Sequence, residues 1–223
     1  VPKPDPTGSD DFYKYILPEA LIDAMEIFDK RYDAIIVDEG QDFQSTWWIA
    51  IQELLVDPEE GNFIIFYDDN QKIYTEENSF PFSQPEVVLT ENCRNTKSIH
   101  ECVMRYYRGY KSPIALGPDG LYPEIISVPQ GSRSLEAVAK LLKRLVHEDR
   151  IEPQDIAVLT PLSEGKSSLK EGHKVGNLSV SWRNSGKKTV ICSSVHSFKG
   201  LEKSVIIFTE IEKVHKSIKQ EIL

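Results

Sequence analysis

Apolar positions recur at helical spacing over residues 17–32, where Leu21, Ile22, Met25 and Phe28 line up and Pro18 suits a first turn. The pattern then changes. Ala34–Val37 is a continuous apolar run of strand length that ends in acids. Residues 44–56 predict a helix with Trp48, Ile51 and Leu55 along one face. Residues 63–67 predict a second fully apolar strand, again followed by acids. Strands apolar on both faces belong to parallel sheets covered by helices on each side.

The alternation continues. Thr96 can cap a helix carrying Ile99, Val103 and Tyr106, which Gly109 would stop. Residues 124–128 read as a strand, and 134–148 as an amphipathic helix with Leu135, Val138, Leu142 and Leu145 on one face. Residues 156–159 predict a strand, 165–186 a polar loop, and 189–193 and Val205–Phe208 two further strands. The tail from Ile211 reads as helical, and residues 1–15, rich in Pro, Gly and Asp, as a loose lead-in. Strands alternating with helices define an α/β class.

The chain has 223 residues, 40% apolar and 27% charged, so it holds one large domain or two small ones and can bury a core without staples. Disorder is excluded as the dominant state. The longest apolar runs are far below the ~20 residues that span a bilayer, and no secretory signal is visible at the start. The 3 cysteines form no CxxC pair, which argues for a reducing compartment rather than a disulfide framework. With 26 Lys and Arg against 35 Asp and Glu, the formal charge is -9. Bulk charge therefore opposes nucleic-acid binding, which would have to rest on a local site.

Four short segments carry candidate chemistry. In YDAIIVDEGQDF (32–43) a buried strand delivers Asp38 and Glu39 to the carboxyl edge of a sheet, where such folds bind ligands. An Asp there can hold Mg²⁺ that bridges nucleotide phosphates, and the adjacent Glu can deprotonate a water. The plainer alternative is an acidic turn capping the following helix. FIIFYDDNQKIY (63–74) repeats the geometry: Gln71 can sense a terminal phosphate and Tyr74 can stack on a base, or this is an ordinary turn with a core tyrosine. In LTENCRNTKSIH (89–100), Arg94 stands before a helix, suited to a phosphate or to a surface ion pair. In SSVHSFKGLEKSVIIF (193–208), Ser194, His196, Lys199, Gly200 and Glu202 sit in a turn between apolar strands. Gly200 permits close approach, and Lys199 and Ser194 can meet a phosphate; His196 alone is more often structural.

In order, these segments resemble motifs II, III, IV and V of superfamily 1 helicases of the UvrD/Rep/PcrA type. DEGQD resembles the Walker B box, NQKIY the family's DQSIY, NCRNT its NYRST, and VHSFKGLE its HxxKGLEF. The resemblance covers residues 32–208. It implies two RecA-like parallel-sheet domains with ATP between them, in an ATP-driven, 3′-to-5′ type motor on single-stranded and duplex DNA, as in DNA repair. Carried over residue by residue, Asp38 would serve Mg²⁺ and Glu39 would be the general base. Gln71 would couple the γ-phosphate to movement and Arg94 would be one arginine finger. Gly200 and Glu202 would contact the nucleotide, while Tyr74, Ser194, His196 and Lys199 would face DNA. The expected localisation is cytoplasmic and nucleoid-associated, with no membrane partner.

Departures from the family pattern shape these expectations. Glu76-Glu77 replace the aromatic that follows the QxIY box, Tyr67 a glycine, and Lys203 the aromatic after GLE. No GxxxxGK[ST] precedes Asp38. TPLSEGKSS (160–168) is the one tempting substitute, with Thr160 where the first glycine belongs. No TRA-type arginine box follows residue 208. The chain is thus expected to be a core fragment of a longer helicase, inactive alone, with the rest of the parent chain as its partner. Residues 1–15 would be the lead-in, 16–90 an incomplete first RecA-like domain, and 91–223 a second one truncated before motif VI. The rival expectation is a catalytically dead, helicase-like regulatory module that binds nucleic acid or protein.

Overall fold

A computed structural model describes residues 11–68, 80–81, 87–109, 111–128 and 134–211. The chain divides into two compact units: Val1–Asn95 with Tyr107–Gly117, and Thr96–Tyr106 with Pro118–Leu223. The class is α/β, with parallel and mixed sheets.

In the first unit, a π-helical turn, Phe12–Ile16, runs into α1, Leu17–Ile27, with Pro18 in its first turn. Part of the expected lead-in is therefore helical. A β-α-β unit follows: β1, Ala34–Val37; α2, Ser45–Gln52; and β2, Asn62–Ile65, which pairs parallel to β1 from Ala34↔Asn62 to Val37↔Ile65. Two adjacent parallel strands need a crossover, and α2 supplies it. Trp48, 2% exposed, anchors this unit: it stacks on Phe43 at 4.9 Å and meets Phe63 and Phe80 edge-on or tilted. Ile36 and its partner Ile64 remain 66% and 48% exposed. The expectation that both faces of these strands are covered is thus not met among the described residues. A short parallel pair, β3 (Glu91–Asn92) with β4 (Ile114–Ala115), completes the unit.

The second unit begins with α3, Lys97–Met104, capped by Thr96, whose hydroxyl accepts from Ile99 N–H at 3.4 Å. The amphipathic pattern yields α4, Ser134–His147, which buries Val138, Leu142 and Leu145. Its Arg144 grips Glu124 with two hydrogen bonds, 3.2 and 2.5 Å. Five strands follow: β5, Ile156–Thr160; β6, Lys174–Val175; β7, Leu178–Ser181; β8, Thr189–Ser194; and β9, Val205–Phe208. They form one sheet in the order β6-β7-β8-β5-β9, parallel except for β6 against β7. β5 is buried along its whole length. Side chains of α4 pack with Ile156, Val158, Val180, Val190, Cys192 and Ile207 on one face, while Ala157, Leu159 and Phe198 cluster on the other.

Two expectations are corrected here. Residues 124–128 form no strand: among the described residues no segment pairs with them, and Ile125 stands 93% exposed. Residues 165–186 are not a plain loop, because β6 and β7 form a hairpin within them across Gly176-Asn177, with Leu169, Val175, Leu178 and Val180 buried. Gly176 takes φ +67, as such a tight turn requires.

Burial, reinforced by the charges of Glu210 and then Glu164, pushes the Cys192 thiol up to about 12. At pH 8 its thiolate fraction is then about one in ten thousand, and the thiolate is the reactive form. Iodoacetamide at pH 8 is expected to label exposed Cys93 at least about tenfold faster than Cys192. Mass spectrometry of the digest checks this, and equal labelling would contradict it.

Candidate functional site

At the carboxyl end of β1 the chain turns sharply. Phe66 N–H donates to Val37 C=O and Gly40 N–H to Phe66 C=O, both at 2.8 Å, so the turn lies directly on the backbone that extends β2. Glycine is needed for that approach: a Cβ at position 40 would stand 2.3 Å from Ile65 Cγ2. Glu39 takes the left-handed conformation, φ 55° and ψ 40°, which leads into a 3₁₀ turn over Gly40–Asp42. Its N–H donates to Asp38 Oδ1 at 2.9 Å. Asp38 is exposed and Glu39 half-buried.

Behind these acids lies a residue that the pattern reading did not single out. Gln41 is 1% exposed. Its Nε2 donates to Glu39 Oε2 at 2.6 Å, and its Oε1 accepts from Asp68 N–H at 3.0 Å. One carboxamide thus links the acidic turn after β1 to the first acid after β2. The sequence signal was slight: a glutamine between acids, with its second partner 27 positions away.

The remaining site residues are placed as follows. Gln71 and Tyr74 lie outside the described residues. Arg94 is exposed in the turn after β3, where Asn92 Oδ1 accepts from Asn95 N–H at 3.3 Å. Ser194, His196, Lys199, Gly200 and Glu202 share one turn at the carboxyl end of β8. Ser194 caps the four-residue helix α5, Val195–Phe198, by accepting from Ser197 N–H at 3.1 Å. His196, Gly200 and Glu202 are exposed and Lys199 half-buried. Gly200 has φ +78 and open space around its Cα, so the left-handed backbone, not crowding, favours glycine there. Asp38, Glu39 and Arg94 belong to the first unit, and Ser194, His196, Lys199, Gly200 and Glu202 to the second.

The segment 160–168 offers no phosphate cradle. No helix follows it, and its hydroxyls at Thr160, Ser167 and Ser168 are already engaged by a carboxylate. Glu210, 2% exposed at φ 58, accepts from Thr160 Oγ1 (2.8 Å) and Ser167 Oγ (2.6 Å) on one oxygen. On the other it accepts from Ser168 N–H (3.0 Å) and Ser168 Oγ (2.6 Å). Lys170 Nζ folds back onto the carbonyls of Glu164 and Gly165. Glu210 was the second residue the pattern reading passed over, since its partners lie 42–50 positions upstream.

Among the described residues, no group of three or more His, Cys, Asp or Glu could hold a metal ion. Mg²⁺ at nucleotide sites needs no such cage: it keeps waters and takes one or two carboxylates plus substrate phosphates. Exposed Asp38, a hard oxygen donor at a sheet edge, fits that requirement. None of the described helices is long and apolar enough to cross a membrane. No model of a known family matches the chain, and no curated protein matches it.

Proposed function

We propose that this chain belongs to the core of an ATP-dependent DNA helicase or translocase of the UvrD/Rep type, each unit being part of a RecA-like domain. The observation that carries this reading is the turn after β1, which holds Asp38 and Glu39 side by side at the carboxyl end of a parallel β-α-β unit. Asp38 would hold Mg²⁺, which supplies charge neutralisation at the nucleotide phosphates when bound. Glu39 would orient and deprotonate the attacking water. Gln71 would sense the γ-phosphate, and Arg94 would stabilise charge on the transferred phosphoryl group, a contribution worth about 10³-fold or more where such arginines act.

In the second unit, Gly200 and Glu202 would approach the nucleotide, while Ser194, His196 and Lys199 would face DNA; the resemblance gives Tyr74 a DNA-facing role as well. A protein with formal charge -9 needs such a local set, because its overall field repels phosphate.

The test uses the natural protein that carries this chain. Single-stranded DNA is expected to stimulate its ATP hydrolysis about tenfold or more, and Arg94→Ala to cut that rate about 10³-fold. Hydrolysis indifferent to DNA, or to Arg94→Ala, would overturn the reading. Residues 1–223 contain no GxxxxGK[ST], so the isolated chain is expected to show no DNA-stimulated turnover.

A further inference from the structure

Gln41 is almost wholly buried, yet it is polar and sits between two acidic turns. Burial of a carboxamide is costly unless its hydrogen bonds are made. Here the orientation of the amide follows from its partners. A backbone N–H only donates and an ionised carboxylate only accepts, so Oε1 must face Asp68 and Nε2 must face Glu39. No other side chain of this length does both. Glutamate would set two carboxylates against each other, and methionine would satisfy neither partner.

The link is also placed to transmit. Glu39 precedes Gly40, whose N–H is tied to Phe66 C=O, so the turn and the segment after β2 are already joined backbone to backbone. Gln41 adds a side-chain bond from the carboxylate itself to the N–H of Asp68, three residues before Gln71. From this geometry we infer that Gln41 is a positioning residue. It fixes the Glu39 carboxylate for water activation and couples the state of that carboxylate to the backbone at Asp68. The inference rests on the ATP-hydrolysis reading for its purpose, but the coupling itself does not.

The experiment therefore has two arms. In the first, the 223-residue chain is labelled with ¹⁵N and the side-chain amide of Gln41 is followed with the backbone amide of Asp68. Glu39→Gly removes the carboxylate and suits the left-handed backbone at that position. The two Gln41 amide protons, split by the bond to the carboxylate, are expected to converge, and the Asp68 amide to shift with them. If Asp68 stays where it was, the coupling is refuted without any variant at position 41.

In the second arm, Gln41→Met in the natural protein is expected to lower kcat about tenfold or more while KM for ATP is unchanged, as misplacement of a reacting group does. An unchanged kcat refutes the positioning role and leaves the helicase reading standing. If the unsubstituted protein does not hydrolyse ATP, the helicase reading fails and the first arm still decides the coupling.

Discussion

Glu39→Gln in the natural protein is expected to lower DNA-stimulated ATP turnover by about 10²- to 10⁴-fold, the range a positioned general base contributes. Binding of a non-hydrolysable ATP analogue with Mg²⁺ is expected to change by less than about threefold, because on the proposed reading the substitution removes a proton acceptor rather than a phosphate contact. The reason lies in the turn after β1. Glu39 is held in the left-handed region between Asp38 and Gly40, and its carboxylate is hydrogen-bonded to buried Gln41 at 2.6 Å. A glutamine at 39 keeps the volume and can still accept from Gln41 through its oxygen, so the fold of the turn survives. Stopped-flow phosphate release with parallel analogue titration separates the two effects. A turnover within threefold of the unsubstituted protein would remove Glu39 from the mechanism.

The largest expected effect on stability lies in the second unit. Glu210→Leu is expected to cost about 3–5 kcal/mol, since it strips four hydrogen bonds from a buried carboxylate and leaves their donors enclosed. Thr160 and Ser167 are 0% and 1% exposed, so water does not readily replace the lost acceptor. Glu210→Gln should cost less, about 1–2 kcal/mol. Its amide oxygen can take the Ser168 N–H, which cannot turn, while its NH₂ faces the hydroxyls of Thr160 and Ser167, which can rotate to accept. Urea denaturation followed by hydrogen exchange at the β5 and β8 amides gives both values. Equal stability of the leucine and glutamine variants would mean that the carboxylate does not hold the loop.

Much of the fold was legible along the chain, and the reason differs by element. β1 and β9 appear at the residues expected because each is four consecutive apolar residues bounded by polar ones. The Thr96 cap was readable because its partner, Ile99 N–H, is three residues away. The β6–β7 hairpin had a signal too, Gly-Asn between Val175 and Leu178, but the surrounding polarity masked it. Residues 124–128 misled because an apolar run shows strand propensity without showing a partner.

The site follows the same rule. Asp38 and Glu39 stand where a strand-then-acid pattern puts them, and Ser194 through Glu202 share the turn their spacing implied. Arg94 could be placed before α3 but not assigned a partner from local pattern alone. Gln41 and Glu210 escaped notice because what defines them is a bond to a residue 27 to 50 positions distant. No local periodicity encodes such a bond.

The strand order has a consequence for synthesis. β5 is inner in its sheet yet is the first of the five strands to leave the ribosome, and its parallel neighbours β8 and β9 come later. β9 is complete about 48 residues after β5, a few seconds at about 5–20 residues per second. Until β8 emerges, a strand destined for burial along its whole length has both edges open. α4 has already emerged and can shield one face, but the face of Ala157 and Leu159 waits for Phe198. The nascent chain is therefore most in need of a chaperone while residues 161–198 are being made.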